Sequence, residues 1–314
     1  MTNRREFLRS ASVMAVTSMW ATSCNSSTLS KLNNKKSFGL QLFSIRRELA
    51  SDVPEGLRKI AEMGYSYIEL FGCNSEARID KVPLSEYKKY ADDAGLKIVS
   101  SHLYSPQGVY DMNNFDYIKE FWKKMTDHHA AIGCKYIIQH GLPGRSTEEV
   151  AFGGEVLNEA GKIAKASGLI FGFHNAGNEF DRVVPGGTQP VVMPARGKRP
   201  PEGSKIIYDA LIEATDPSLV VFQNDVYWTV MGRQDPVEYM RKYADRIRLL
   251  HIKDKAVLGQ SGMMNFQKIF ETAYSIGINE FFVELDTNTG YTQGSEFEDI
   301  KDCADYLLNA DFVK

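Results

Sequence analysis

The chain has 314 residues, of which 43% are hydrophobic and 25% charged, with a formal net charge of −3. That is the composition of an ordinary globular protein and excludes a long disordered region. A slightly acidic chain without a Lys/Arg cluster interleaved with aromatics also gives no electrostatic reason to expect nucleic acid as a partner.

The N-terminus reads Asn3-Arg4-Arg5-Glu6-Phe7-Leu8-Arg9, followed by a weakly apolar stretch over 11–21. That stretch is too short to span a bilayer, which takes about 20 residues. Paired arginines ahead of x-Phe-Leu resemble a twin-arginine export address; the plainer alternative is a cytoplasmic protein with a basic start. Ala21-Thr22-Ser23-Cys24 resembles a lipoprotein cleavage box, with Ala21 where Leu usually stands. Cys24 would then carry a lipid anchor and the polar run 25–36 would be a tether. Residues 1–36 are therefore expected to be signal and tether, residues 37–314 the folded domain, and the location periplasmic.

From Ser37 onward, short β-rich runs alternate with amphipathic helical patterns. The predicted strands cover 38–44, 67–71, 97–102, 136–140, 169–174, 219–225, 247–252 and 281–285. Helical stretches over 53–63, 84–94, 115–132, 147–167 and 206–214 fall between them, several ending at a glycine stop such as Gly64, Gly95 or Gly133. Near-continuous apolar strands alternating with helices imply a parallel sheet covered on both faces. Eight such units, with no Gly-x-Gly-x-x-Gly after the first strand, favour a single-domain α/β (β/α)8 TIM barrel over a doubly wound dinucleotide fold. The Pro/Gly-rich stretch 181–203, with Arg182, Arg196, Lys198 and Arg199, reads either as a solvated insertion or as a lid. Cysteines 24, 73, 134 and 303 form no C-x-x-C pair, so zinc-ribbon and thioredoxin readings fail and buried free thiols are expected.

Active sites in such barrels sit at the C-terminal strand ends. Four of the six histidines fall there (His102, His140, His174 and His251), together with Gln41, Glu69, Asn175, Asp225 and Glu284. A carboxylate–imidazole cluster of this kind binds borderline divalent metals. Glu284 is a lone acid in an apolar strand, and Asp225 ends another; either carboxylate would be unfavourable there without a cation or donors. For His102 and His140 a hydrogen-bonded core role or a substrate contact competes with ligation. Tyr227 and Trp228 form either a stacking wall for a sugar ring or core packing.

Gly39-Leu40-Gln41-Leu42-Phe43-Ser44-Ile45-Arg46 resembles the opening strand of the xylose-isomerase-like sugar isomerase/epimerase family. The stretch from Asp216-Pro217 to Asp225-Val226-Tyr227-Trp228 resembles its sixth strand, Leu250-His251-Ile252-Lys253-Asp254 its seventh and Phe282-Val283-Glu284 its eighth. The resemblance covers nearly the whole chain from Ser37, in the family's order. It implies a metal held by a fifth-strand Glu, a sixth-strand Asp, a seventh-strand His and an eighth-strand Glu. By position the last three are Asp225, His251 and Glu284. The fifth-strand Glu is absent: Phe171-Gly172-Phe173-His174-Asn175 puts His174 there, with Glu179 as a fallback and Ala176 where many relatives have a second His.

The function so implied is a divalent-metal-dependent sugar isomerase or epimerase that abstracts a proton next to the metal-bound carbonyl of a keto-sugar or related derivative. Its metal would be Mn, Zn or Co in preference to Mg, held by His174, Asp225, His251 and Glu284. Glu284, His174 and Lys253 are the expected catalytic residues, with His102 or His140 as alternative partner acids. Gln41, Glu69, His102, His140, Asn175, Tyr227 and Trp228 are the expected substrate contacts. With His174 replacing an acid, symmetric two-base epimerisation loses one carboxylate, while one-base isomerisation or β-elimination stays feasible. The alternatives are a metal-dependent lyase or dehydratase acting on a keto-glycoside, and a non-catalytic sugar-binding barrel. A small-molecule sugar is the expected partner, along with further copies of the chain as a homo-oligomer.

Overall fold

The computed structural model describes residues 36–104, 113–142, 144–192, 199–286 and 294–314. The segment expected to be an export signal, Cys24 and the lysine and arginine at 198 and 196 lie outside the described residues. Among those described, eight parallel strands close a barrel: β1 (Gly39–Gln41), β2 (Tyr67–Phe71), β3 (Lys97–Tyr104), β4 (Tyr136–His140), β5 (Ile170–His174), β6 (Val220–Asp225), β7 (Ile247–Lys253) and β8 (Glu280–Glu284). Each pairs in parallel with its neighbours in chain order, and β8 pairs with β1. The predicted (β/α)8 barrel is thus the observed fold.

Side chains along a strand alternate in direction, so every second residue enters the barrel. The interior therefore has a vertical gradient that can be read off the strands. Tyr67, Tyr136, Ile138, Leu249 and Phe282 pack into a separate apolar cluster that fills the interior below the site. Two or four residues further on, the same inward faces carry Glu69, His140, His251, Lys253 and Glu284. The apolar plug excludes water from beneath the polar layer and holds its strands in register. Gly39 makes the plug possible, since a Cβ there would meet the Tyr67 ring at 2.3 Å.

Outside the barrel, α1 (Val53–Glu62), α2 (Leu84–Asp93), α3 (Phe115–Ala131), α4 (Thr147–Ala166) and α5 (Ile207–Ala214) bury their apolar faces against the strands. α6 (Val226–Met231), α7 (Pro236–Lys242), α8 (Phe266–Ser275) and α9 (Glu296–Asn309) complete the described helical layer. Their starts follow capping rules: Asp52, Ser146 and Asn265 each accept a backbone N–H in the first turn, and Ser295 with Glu298 forms a reciprocal capping box. No helix among the described residues is long and apolar enough to cross a membrane.

α4 lies so close to the start of β6 that a Cβ on Gly161 would sit 2.6 Å from the Leu219 carbonyl oxygen. Backbone cannot yield as a flexible side chain can. Gly161→Ala is therefore expected to destabilise the fold by about 1–3 kcal/mol, despite alanine's better helix propensity; urea denaturation checks this.

Three details differ from the sequence-based expectations. β1 stops at Gln41, short of Ser44, because Gln41 Oε1 accepts from Phe43 N at 2.7 Å and turns the chain into a 3-10 turn, Leu42–Ile45. β3 runs two residues past His102, to Tyr104. The stretch after β5 contains a two-residue antiparallel ribbon, Arg182–Val183 against Lys205–Ile206, which Arg182 clamps by donating to Ser204 Oγ at 2.9 Å. Cys134 and Cys303 are buried free thiols as expected, while Cys73 is half-buried.

Candidate functional site

The register of the barrel brings the expected residues to one end. Gln41 pairs with Glu69, Phe71 with His102, Tyr104 with His140, His140 with His174, Asp225 with His251 and Lys253 with Glu284. Ligand atoms of His174, Asp225, His251 and Glu284 all lie within 4.8 Å of one another, and all four residues are buried. Two further groups meet the same criterion among the described residues: His102 with His140 and His174, and Glu69 with His102 and His251. The four imidazoles stand ring to ring, with centroids 4.5 Å apart for His174 and His251 and 4.8 Å for His102 and His174.

The hydrogen bonds fix which nitrogens are available. Glu69, fully buried, accepts from His251 Nε2 at 2.7 Å, from Gln41 Nε2 at 2.9 Å and from Gln223 Nε2 at 2.8 Å; His102 Nδ1 lies 3.3 Å away. Gln223, with its amide nitrogen on Glu69, turns Oε1 toward His174 Nδ1 at 3.0 Å. In their neutral forms His251 thus carries its proton on Nε2 and His174 on Nδ1. Lone pairs remain at His251 Nδ1 and His174 Nε2. One carboxylate sets both tautomers, directly and through a glutamine.

The atoms left over face each other. Asp225 Oδ2, His251 Nδ1 and Glu284 Oε2 are buried without a hydrogen-bond partner. His251 Nδ1 comes within 2.5 Å of Glu284 Oε2, an ion-pair approach whose angle is not that of a hydrogen bond. The other oxygens of the two acids are occupied: Asp225 Oδ1 accepts from Trp228 N at 2.8 Å and caps α6, and Glu284 Oε1 accepts from Lys253 Nζ at 2.9 Å. Lys253 also reaches Asp286 Oδ1 at 3.0 Å.

Electrostatics follow from this crowding. Burial pushes the Asp225 carboxyl up to about 7, with Glu284 adding to it against the pull of Lys253. Burial would lower His251, but the carboxylates of Glu69 and Glu284 outweigh it and hold the imidazole up to about 10. Glu284, despite burial, stays well below the usual carboxylate range because Lys253 and His251 flank it. His174 and His140 are pushed down by burial and by neighbouring imidazoles, His140 to about 3. Four acids (Glu69, Asp225, Glu284 and Asp286) face the Lys253 ammonium and the raised His251 imidazole; a divalent cation in this acid-rich cluster would favour ionised Asp225 and neutral His251.

Above this layer lies a cavity of about 180 Å³, lined by Gln41, His102, His140, His174, Trp228, Lys253 and Glu284, with Phe43, Phe71, Tyr104, Ala176 and Asp286 at its walls. Three expected substrate contacts take other places. Glu69 is fully buried outside the cavity lining, its oxygens taken up by His251, Gln41 and Gln223. Asn175 is fully buried; its Oδ1 accepts from Asn224 Nδ2 at 3.0 Å and from Asp225 N at 3.1 Å, which fixes the end of β6. Tyr227 is not among the lining residues, whereas its neighbour Trp228 is. Glu179, the fallback for the missing fifth-strand acid, accepts from Ala176 N at 2.8 Å and from Asn178 Nδ2 at 3.2 Å and belongs to no ligand group. Gln223 went unnoticed in the sequence; its position two residues before Asp225, on the same strand face, was the available signal.

Asp225 gives a clean pH test. Its folded pKa lies above that of the unfolded chain, so its stabilising contribution is complete below about 4 and is lost as pH rises through about 7. Asp225→Asn retains an oxygen for the α6 cap and removes the buried charge. In EDTA the variant is expected to gain stability relative to the parent as pH goes from 4 to 8, as read by thermal denaturation.

A closed parallel barrel with an acid–imidazole cluster at its C-terminal mouth defines a class of small-molecule-site proteins built on strand ends. The profile of the xylose isomerase-like TIM barrel family matches residues 57–307, and the chain belongs to that family. A solved sugar phosphate isomerase/epimerase from Parabacteroides distasonis is 41% identical, with a TM-score of 0.81, and the alignment covers 90% of this chain and 96% of that one. An inosose dehydratase from Geobacillus kaustophilus is 26% identical over 207 residues, 63% of this chain; the match spans only 60% of that relative's length. A D-allulose 3-epimerase from Methylomonas sp. shares the fold at 13% identity and a TM-score of 0.66, over 87% of this chain and 96% of its own.

Proposed function

We propose that this chain is a metal-dependent sugar isomerase or epimerase in the broad sense, removing a proton from the carbon beside a carbonyl of a keto-sugar or related derivative. The observation that carries this reading is the convergence of His174, Asp225, His251 and Glu284, whose ligand atoms lie within 4.8 Å of one another and three of whose buried atoms make no hydrogen bond. Buried polar atoms are rarely left unsatisfied, so such a group fits a cation. A mixed imidazole–carboxylate set suits Mn, Zn or Co better than Mg. A divalent ion held by these four would supply Lewis-acid polarisation of a sugar carbonyl and its neighbouring hydroxyl.

The remaining roles belong to the chain's own groups. Glu284 is the base: Lys253 orients its carboxylate and keeps it ionised. Trp228 walls the cavity, and the Lys253 ammonium stands 5.3 Å from the centre of its ring. His102 and His140 also line the cavity, where imidazoles can exchange protons with substrate hydroxyls. The name of the 41%-identical relative supports a sugar substrate. The twin-arginine-like leader supports a periplasmic location and, with it, an unphosphorylated sugar.

A second reading, elimination following the same proton abstraction, is supported by one specific observation. His174 occupies the place of a second acid, so Glu284 is the one carboxylate of the ligand group that lines the cavity; in elimination the proton it takes can be handed on to the departing hydroxide or alkoxide, whereas epimerisation needs a proton delivered to the opposite face. The dehydratase name of a relative agrees with this. The test is incubation of metal-loaded protein with keto-sugars and keto-glycosides in D2O. Deuterium should enter the carbon beside the carbonyl, with release of water or an alcohol marking elimination. Sugar binding with neither deuterium exchange nor release of water or an alcohol would instead make this a binding barrel.

A further inference from the structure

Beside the cavity just described lies a larger cleft of about 630 Å³, between the loop after β1 and the loop after β2. Its floor is apolar, formed by Leu42, Leu49, Val53, Ile79, Val82 and Tyr87. Its rim is cationic: Arg46 and Lys81 against a single acid, Asp80, while Arg47 is held by Glu296 at 2.7 Å. Phe71 lines both this cleft and the cavity over Glu284. Phe43, on the cavity side, packs edge-on against Phe71 at 4.8 Å and carries the Arg46 guanidinium 3.7 Å from its ring centre. The two spaces are therefore neighbours across one aromatic pair. Asp80 holds a left-handed backbone at φ 52 at the tip of the short ribbon Arg78–Ile79 with Val82–Pro83, a turn conformation that Asp tolerates better than most non-glycine residues.

We infer that this cleft is a second subsite, which receives a flat aromatic substituent carried by the sugar that occupies the barrel mouth. The inference rests on the reading of the mouth as a sugar site. A sugar ring alone needs little beyond the 180 Å³ cavity, and the cleft has the volume of a ligand site in its own right. An aliphatic floor with an aromatic edge takes up a planar apolar group, and a guanidinium at the rim stacks on it or pairs with a phenolate. A second pyranose would need a wall of hydroxyl partners, which the floor does not offer.

The test titrates the metal-loaded full chain with 4-nitrophenol and with the methyl and 4-nitrophenyl β-glycosides of 3-keto-D-glucose, and compares Ile79→Trp, which fills the cleft. Val82→Trp, at a half-buried position, replaces it if that variant does not fold. The inference expects nitrophenol to bind the parent and to lose at least tenfold in affinity in the filled variant. It also expects the joined compound to bind the parent at least tenfold tighter than the methyl glycoside, whose own affinity stays unchanged in the filled variant. Nitrophenol binding that is absent or indifferent to the filling, or a joined compound no tighter than the methyl glycoside, overturns the subsite whatever becomes of the sugar. Nitrophenol bound at the cleft with binding of neither glycoside detectable would instead overturn the sugar reading, and the linked substrate with it.

Discussion

Glu284→Gln is expected to lower turnover by about a thousandfold while leaving the chain folded, the scale associated with loss of a positioned general base. The substitution is nearly isosteric, so the 180 Å³ cavity keeps its shape and Trp228 its wall. What changes is charge, basicity and one of the four ligands, so the assay is run at saturating metal. The parent carboxylate is held ionised by Lys253 at 2.9 Å and by His251, and it faces the ligand group with an oxygen that has no hydrogen bond. A glutamine oxygen can still accept from Lys253, which also keeps Asp286 at 3.0 Å, so the buried ammonium is not stranded. The signature is loss of solvent-deuterium exchange with sugar binding retained. A variant that still exchanges at the parental rate would remove Glu284 from the chemistry.

The second large effect is expected at Glu69, a residue that touches no part of the cavity. Although burial alone would raise its pKa, His251 and His102 hold it far below the usual carboxylate range. Glu69→Ala would strand the donors of Gln41, Gln223 and His251 together in a sealed layer above the apolar plug. Removing one partner of such a buried pair destabilises by about 3–5 kcal/mol. It would also release the proton positions that leave lone pairs at His251 Nδ1 and His174 Nε2. Losing a hydrogen-bond partner behind a metal ligand typically lowers metal affinity about 10- to 100-fold. Urea denaturation in EDTA reads the first effect and metal titration the second. Unchanged affinity in a folded Glu69→Ala variant would show that the tautomers are set elsewhere.

Much of this arrangement was legible in the sequence because a strand's two-residue period is strict. Leu249, His251 and Lys253, like Phe282 and Glu284, place an apolar residue and then a polar one on the same inward face, so depth in the barrel can be counted along the chain. What period cannot supply is which polar group faces which. Glu69 and Gln41 both lie at strand ends and both looked like substrate contacts. Only the packing shows that Glu69 spends its oxygens on His251 and Gln223 while Gln41 still borders the cavity. Gln223 carries no charge to attract notice, and its role depends on a hydrogen bond to a residue 154 positions away. The aromatic pair Phe43–Phe71 and the cleft behind it were equally hidden. They arise from two loops, one shaped by the Gln41 cap and one by a two-residue ribbon too short to leave a pattern.

The most direct measurement is anomalous diffraction at the manganese edge from crystals of the Mn-loaded protein. A single strong peak is expected, bonded to His174, Asp225, His251 and Glu284 at roughly the 2.0–2.2 Å typical of such nitrogen and carboxylate ligands. A peak held by other residues, or none at saturating manganese, would contradict the assignment of these four side chains to one shared cation.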